Sequence, residues 1–162
     1  MAAKKRWFDL RPSRIQGVGA FAACDIPPGR RLIEYTGERI SAEEASLRYD
    51  DSPTRRHHTF LFEIDEQTCI DAREVGSDAR YINHSCEPNC EAFIEGDRIF
   101  IYSRVRIPTG VELTYDYRYV IEGPLDEAAR RLYRCRCGSA RCRGTIAVAR
   151  PRRTRSRTRT RR

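Results

Sequence analysis

The sequence predicts a mainly β fold: a patchwork of short strands with little helix. Three observations carry that expectation. The apolar and β-branched runs are short and are cut repeatedly by glycine and proline. Two pairs of such runs are separated by only a few turn-like residues, as in hairpins. Helical signals are confined to two brief segments.

In chain order, residues 17–40, GVGAFAACDIPPGRRLIEYTGERI, read as short strands broken by Gly and Pro turns. SAEEASLRYD starts with Ser41 and places Glu44 three residues on, a capping box that opens a short helix. HTFLFEID (58–65) and TCIDA (68–72) predict one hairpin. EAFIE and RIFIYSRVRI flank Gly96-Asp97 and predict a second. VELTYDYRYV reads as one more strand, in which alternation would put Tyr115 and Tyr117 on one face. LDEAARRLYR (125–134) sets Leu125, Ala128, Ala129 and Leu132 on one helical face.

A chain of 162 residues suits one domain with a real core. No apolar run is long enough to cross a membrane, and MAAKKRWFDLRPSR lacks the apolar stretch of a secretory signal. A reducing compartment is expected, and with it free or metal-bound thiols rather than disulfides. The net charge of +8 is localised. The last segment, RPRRTRSRTRTRR, holds eight arginines and no acid; removing them leaves 23 basic residues against 23 acidic. That segment, 150–162, is expected to be a disordered tail. It suits salt-dependent, sequence-blind contact with nucleic acid, or simply a solvated cationic end or import signal. The only lysines are Lys4 and Lys5, so self-modification has two targets.

Three motifs carry chemistry. YRCRCGSARCRG holds Cys135, Cys137 and Cys142 with Gly138 to turn the chain, three ligands for a tetrahedral zinc. The fourth ligand must come from elsewhere, among Cys86, Cys90, Cys24, Cys69 and the three histidines. GVGAFA (17–22) fits a relaxed dinucleotide fingerprint, but the prolines that follow forbid the helix that fingerprint needs. Its glycines still let a backbone approach a ligand closely. Tyr35, Tyr115 and Tyr117 could pack in a core or could line a slot for a long cationic side chain. RYINHSCEPNC crowds Asn83, His84, Cys86, Asn89 and Cys90 into one stretch.

Taken in order, GVG, EYTGE (34–38), RYINHSCEPNC, ELTYDY (112–117) and CRCGSARC resemble the SET-domain protein lysine methyltransferases, over residues 17 to about 146. The look is that of the trithorax-like branch with a C-terminal post-SET zinc segment. The resemblance implies a SET-domain (β-clip-like) fold of small curved sheets around a pseudoknot. In it, the Asn83-His84 chain passes beneath a loop of the ELTYDY region. It also implies S-adenosylmethionine on one face and a substrate lysine entering from the other through a narrow channel. Carried over, Gly17, Val18 and Gly19 border the cofactor, with Arg80, Asn83, His84 and Tyr117 around it. Tyr117 is the catalytic tyrosine, Tyr115 sets how many methyls fit, and Tyr35 lines the lysine channel. Cys86 becomes the fourth zinc ligand beside Cys135, Cys137 and Cys142, leaving Cys90 a free thiol. The sequence departs from the family habit at Ser77, often Asn, and at Phe60, often Tyr.

The implied organisation is an N-terminal segment 1–12, a SET domain 13–120, a helix and post-SET zinc segment 121–149, and the tail 150–162. The implied partner is a protein presenting a lysine, a histone or another basic DNA-associated protein. The site of action is the cytoplasm of a bacterium, or the nucleus and chromatin, not a membrane. The competing readings are a catalytically silent SET-like peptide-binding module and a nucleic-acid-binding module. Oligomeric state has no signature in the sequence.

Overall fold

The computed structural model describes residues 6–49, 60–121 and 123–149. The arginine-rich segment, Lys4 and Lys5, and the first residues of the 58–65 run lie outside them. The elements are β1 (Phe8–Pro12), β2 (Val18–Ala22), β3 (Arg31–Tyr35), β4 (Gly37–Ser41), α1 (Ala42–Arg48), β5 (Leu61–Glu63) and β6 (Thr68–Gly76). A 3-10 turn (Asp78–Tyr81), β7 (Asn83–His84), β8 (Cys90–Glu95), β9 (Arg98–Ser103) and β10 (Thr114–Tyr115) follow. β11 (Tyr119–Ile121), α2 (Glu127–Leu132) and β12 (Ala147–Ala149) complete them. The fold is mainly β, as expected. Among the described residues no helix is long and apolar enough to cross a membrane.

The strands form small separate sheets. β1 pairs with β2, β9 lies between β3 and β8, and β6 lies between β4 and β5, all antiparallel. Both expected hairpins are present, β5–β6 and β8–β9, the second turning at Gly96-Asp97. β9 is central and buries three successive residues, Ile99, Phe100 and Ile101. With Ile26, Ile82, Ile107 and Leu113 they form the interior. Each such side chain stabilises the fold by about 1.5–3 kcal/mol. β1 adds Phe8 to this core, so residues 8–12, read only as an N-terminal segment, are part of a sheet.

The 82–89 stretch is bound to 112–117 at the centre of the molecule. β7 and β10 pair in parallel, Asn83 opposite Thr114 and His84 opposite Tyr115. Two residues per strand make a weak ladder, and side chains reinforce it. Asn89 acts as a substitute strand: its Nδ2 donates to the Glu112 carbonyl at 2.8 Å and its Oδ1 accepts from the Thr114 amide at 2.9 Å.

VELTYDYRYV is not one strand. β10 ends at Tyr115, Arg118 takes a left-handed φ of 44°, and β11 starts at Tyr119 to pair with β12. The Tyr117 amide bonds to an imidazole rather than to a ladder. The second helix is also shorter than its periodicity suggests. Asp126 caps it, and Ala128 faces solvent while Leu125, Ala129 and Leu132 pack on Ile121, Tyr133 and Ala147. The Ser41 cap is as expected, accepting from the Glu44 amide at 3.0 Å.

α1 is fastened to the sheet by charge. Arg48 donates to Glu38, to Glu44 and, at 3.2 Å, to Asp71, which is only 3% exposed. Tyr49 donates to the other oxygen of Asp71 at 2.7 Å. Arg48→Met would leave that buried carboxylate short of its cation. The expected result is a loss of about 1–3 kcal/mol, read as a lower urea midpoint.

Candidate active site and metal centre

One cavity of about 390 Å³ runs between the aromatic walls of the sheets and the C-terminal segment. Tyr35, Phe60, Phe62, Tyr115 and Tyr117 line one part of it. Tyr115 and Tyr117 have ring centroids 4.8 Å apart, Phe62 stacks on Tyr115 at 6.1 Å, and Tyr35 meets Phe62 at 5.4 Å. The three tyrosines singled out in the sequence therefore share one wall. Tyr115 and Tyr117 lie side by side, as alternation along the chain predicts, and Tyr35 joins them from β3.

Two of the three hydroxyls are anchored. Tyr35 donates to the Phe60 carbonyl at 2.7 Å and Tyr117 donates to the Ile82 carbonyl at 2.9 Å. Among the described residues no partner holds the Tyr115 hydroxyl. Burial raises the pKa of all three, so the wall is made of neutral phenols.

Gln16, Arg80, Asn83 and His84 line the same cavity. Asn83 ties the glycine turn to this region: its amide donates to the carbonyls of Gln16 and Val18, both at 3.2 Å, and to Glu112 at 2.9 Å. Arg80 donates to the Ala72 carbonyl, yet its Nε is buried without a hydrogen-bond partner among the described residues. A buried orphan donor beside a cavity suits a polar ligand there. Gly17, Val18 and Gly19 border the turn without lining the cavity. Gly19 has a different physical reason: a Cβ on it would overlap Glu112 and Ser13. Glu112 accepts from Ser13 at 2.7 Å as well as from Asn83, so Gly19→Ala would push apart the bonds that orient Asn83. The expected result is a lower melting temperature by scanning calorimetry.

The His84 ring faces away from a simple ligand role. Its Nδ1 accepts from the Tyr117 amide at 3.1 Å and its Nε2 lies 3.4 Å from Cys86 Sγ. Burial pushes its pKa down to about 4, with Asp116 opposing and Arg143 assisting.

Cys86, Cys135, Cys137 and Cys142 converge, with all four sulfurs within 4.8 Å of one another. A tetrahedral zinc with bonds of about 2.3 Å requires sulfurs roughly 3.8 Å apart. Cys86 and Cys135 stand at 3.8 Å. Gly138, at φ 69°, makes the turn that brings Cys142 back. Amides of Cys137, Arg143 and Gly144 each donate to a sulfur at 3.4 Å, the pattern that stabilises thiolate ligands. Burial works against ionisation of Cys137, but hydrogen bonds from the Cys86 backbone and Ser139 outweigh it and bring the thiol down to about 6. The donor set fits zinc. Cys90 does not join it. It is 1% exposed on β8 in the main core, and burial pushes its thiol up to about 12.

Sequence reasoning missed several residues that hold the site. Arg143 makes a two-pronged pair with Asp116 at 2.7 Å on both arms, and Glu87 holds Arg141 at 2.8 Å. Those bonds and the β11–β12 pair dock the C-terminal segment, whose Leu132, Tyr133 and Ile146 close the cavity. Ser77, one of the departures, caps the 3-10 turn and donates to the Glu34 carbonyl at 2.6 Å.

A parallel two-residue junction between distant segments, a phenol-walled cavity and a four-cysteine appendage together define a SET-type domain with a post-SET-like cysteine cluster. Residues 17–118 match the SET domain family, and the chain belongs to it. It is 40% identical to "Histone-lysine N-methyltransferase trr" of Drosophila melanogaster, over 86% of this chain and 6% of the relative. It is 41% identical to "Histone-lysine N-methyltransferase 2D" of Homo sapiens, over 83% of this chain and 2% of the relative. It is 40% identical to "Histone-lysine N-methyltransferase, H3 lysine-4 specific" of Emericella nidulans, over 88% and 12%. The chain thus spans a small fraction of the length of these relatives.

Proposed function

We propose that this chain is a protein-lysine methyltransferase that moves a methyl group from S-adenosylmethionine to the ε-amine of a lysine in a histone tail or a similar basic protein. The observation that carries the reading is the shared cavity, in which Tyr35, Tyr115 and Tyr117 meet Asn83, Arg80 and His84. The relatives' names supply the first substrate to try, histone H3 around lysine 4.

S-adenosylmethionine, when bound, supplies a methyl carbon activated by positive sulfur. Asn83, Arg80, the backbone around residues 16–19 and the 83–84 backbone would hold it. Cys86, Cys135, Cys137 and Cys142 would hold zinc, whose work is to fasten the C-terminal wall. Only about one free lysine in 2,500 is neutral at pH 7. An aromatic channel that excludes water disfavours the ammonium form and so raises the nucleophilic fraction. The proton leaves to water before transfer. With the donor bound, the neutral amine would take its methyl carbon, and the donor's thioether would be the leaving group. Tyr117, anchored at the Ile82 carbonyl, orients the amine, and alignment is the main catalytic term.

The unanchored Tyr115 hydroxyl crowds a growing methylammonium or holds a water, so the product is a mono- or dimethyllysine. Tyr115→Phe is expected to shift the product towards trimethyllysine, read by mass spectrometry. Rapid trimethylation by the unaltered protein would contradict the assignment. The reading itself is tested by incubating the protein with labelled S-adenosylmethionine and a panel of histones. Label on lysine is expected, and no label on any protein would support the silent module instead.

A further inference from the structure

His84 stands between the cysteine cluster and Tyr117, and the two ends of its ring have different partners. Nδ1 lies 3.1 Å from the Tyr117 amide nitrogen, which donates to it. A ring nitrogen that accepts a hydrogen bond carries no proton, so the proton of the neutral ring is on Nε2. Nε2 lies 3.4 Å from Cys86 Sγ and can donate to it. Asp116 does not compete for Nδ1: its nearest oxygen is 3.6 Å away, beyond hydrogen-bond reach, and its carboxylate is taken up by Arg143.

The Tyr117 amide needs this partner. It lies past the end of β10 and before the left-handed Arg118, so no ladder serves it. The same short stretch holds the other end of the residue, through the Ile82 carbonyl and the Tyr117 hydroxyl. The His84 ring also packs edge-on against the Tyr117 ring, with centroids 5.3 Å apart. Tyr117 is therefore fixed at its backbone, its ring and its hydroxyl by residues 82–84, two residues ahead of Cys86.

The geometry points to His84 as a positioning residue, a neutral imidazole strut that donates from Nε2 to the metal-bound Cys86 sulfur and accepts at Nδ1 from the Tyr117 amide. The zinc centre and the reacting tyrosine are thereby joined by one ring. A second link runs parallel to it: the Arg143 amide donates to Cys86 Sγ, and its guanidinium grips Asp116, next to Tyr117. The strut rests on the proposed roles of Tyr117 and of the four cysteines, and its test separates the two.

Two substitutions each keep one half of the ring. In His84→Asn the side-chain oxygen can take the place of Nδ1, but nothing reaches the sulfur. In His84→Gln the amide nitrogen can take the place of Nε2, but the Tyr117 amide loses its acceptor. Both are made in the full zinc-loaded chain. Zinc release to a coloured chelator is expected to speed up about 10- to 100-fold in His84→Asn and less in His84→Gln. Methyl transfer at saturating zinc is expected to rank the other way, falling further in His84→Gln and in kcat more than in KM. The Tyr117 amide resonance should stay near its original position in His84→Asn and move upfield in His84→Gln. A long-range nitrogen spectrum of the unsubstituted protein should show the His84 proton on Nε2. A proton on Nδ1, or both variants ranking in the same order on zinc release and on the Tyr117 resonance, would overturn the strut. These two readouts need no turnover. A protein that methylates nothing but shows the crossed ranking would retain the strut and lose the proposed reaction.

Discussion

Tyr117→Phe is expected to reduce methyl transfer roughly 100-fold while leaving the fold in place. The ring stays, so its contacts with Tyr115 and His84 remain. What is lost is the hydroxyl, held at 2.9 Å by the Ile82 carbonyl, which the proposed mechanism uses to fix the amine in line. The cost in stability is about 1 kcal/mol, that of one hydrogen bond. The measurement is single-turnover transfer to a histone peptide beside a urea titration. Equal rates for the two proteins would remove Tyr117 from its assigned role. A large drop in stability would make it a structural residue.

Cys86→Ser carries the second large effect. The four sulfurs meet within 4.8 Å, and three of them belong to the C-terminal segment that closes the cavity. That segment has a small apolar cluster of its own, built on Ile121, Tyr133 and Ala147. That cluster and the Arg143–Asp116 and Arg141–Glu87 bonds are modest anchors, whereas structural zinc sites contribute an apparent ~10 kcal/mol or more. Bound zinc is expected to fall from stoichiometric to near nothing by elemental analysis. Binding of S-adenosylhomocysteine is expected to weaken with it, because Tyr133 and Ile146 lose their anchorage. Cys90→Ala is the control. It should leave zinc stoichiometric while lowering stability through lost packing. Zinc retained by Cys86→Ser and lost by Cys90→Ala would reverse the assignment. Acid should release the metal too, since thiolates must take up protons as pH falls.

The legible parts of the site were those whose residues are neighbours in sequence. Cys135, Cys137 and Cys142 stand within one short run, so their spacing announced a metal site, while Asn83, His84 and Cys86 stand within another whose crowding signalled chemistry and whose roles only the family resemblance supplied. The hairpin at Gly96-Asp97 was legible for the same reason, since a turn and its flanking strands are local. Contacts between distant segments left no local pattern. Nothing in ELTYDY says that Glu112 will meet Ser13, or that Arg143 will reach back to Asp116. The error over VELTYDYRYV has a specific cause. Alternation held from Tyr115 to Tyr117, but the Tyr117 amide bonds to His84 and the chain bends at Arg118, so Tyr119 starts a new strand. Likewise, the stripe that placed Ala128 inward assumed a helix beginning at Leu125, whereas Asp126 caps it one residue later.

The central claim is that the phenol-walled cavity is a passage for a lysine side chain. Intact-mass and fragment mass spectrometry of a histone H3 tail peptide, incubated with this chain and S-adenosylmethionine, tests it most directly. Methyl increments confined to lysine are expected, with the count stopping at two and most of the signal gone in Tyr117→Phe. Increments on another residue type, or none in a zinc-loaded protein that binds S-adenosylhomocysteine, would contradict it.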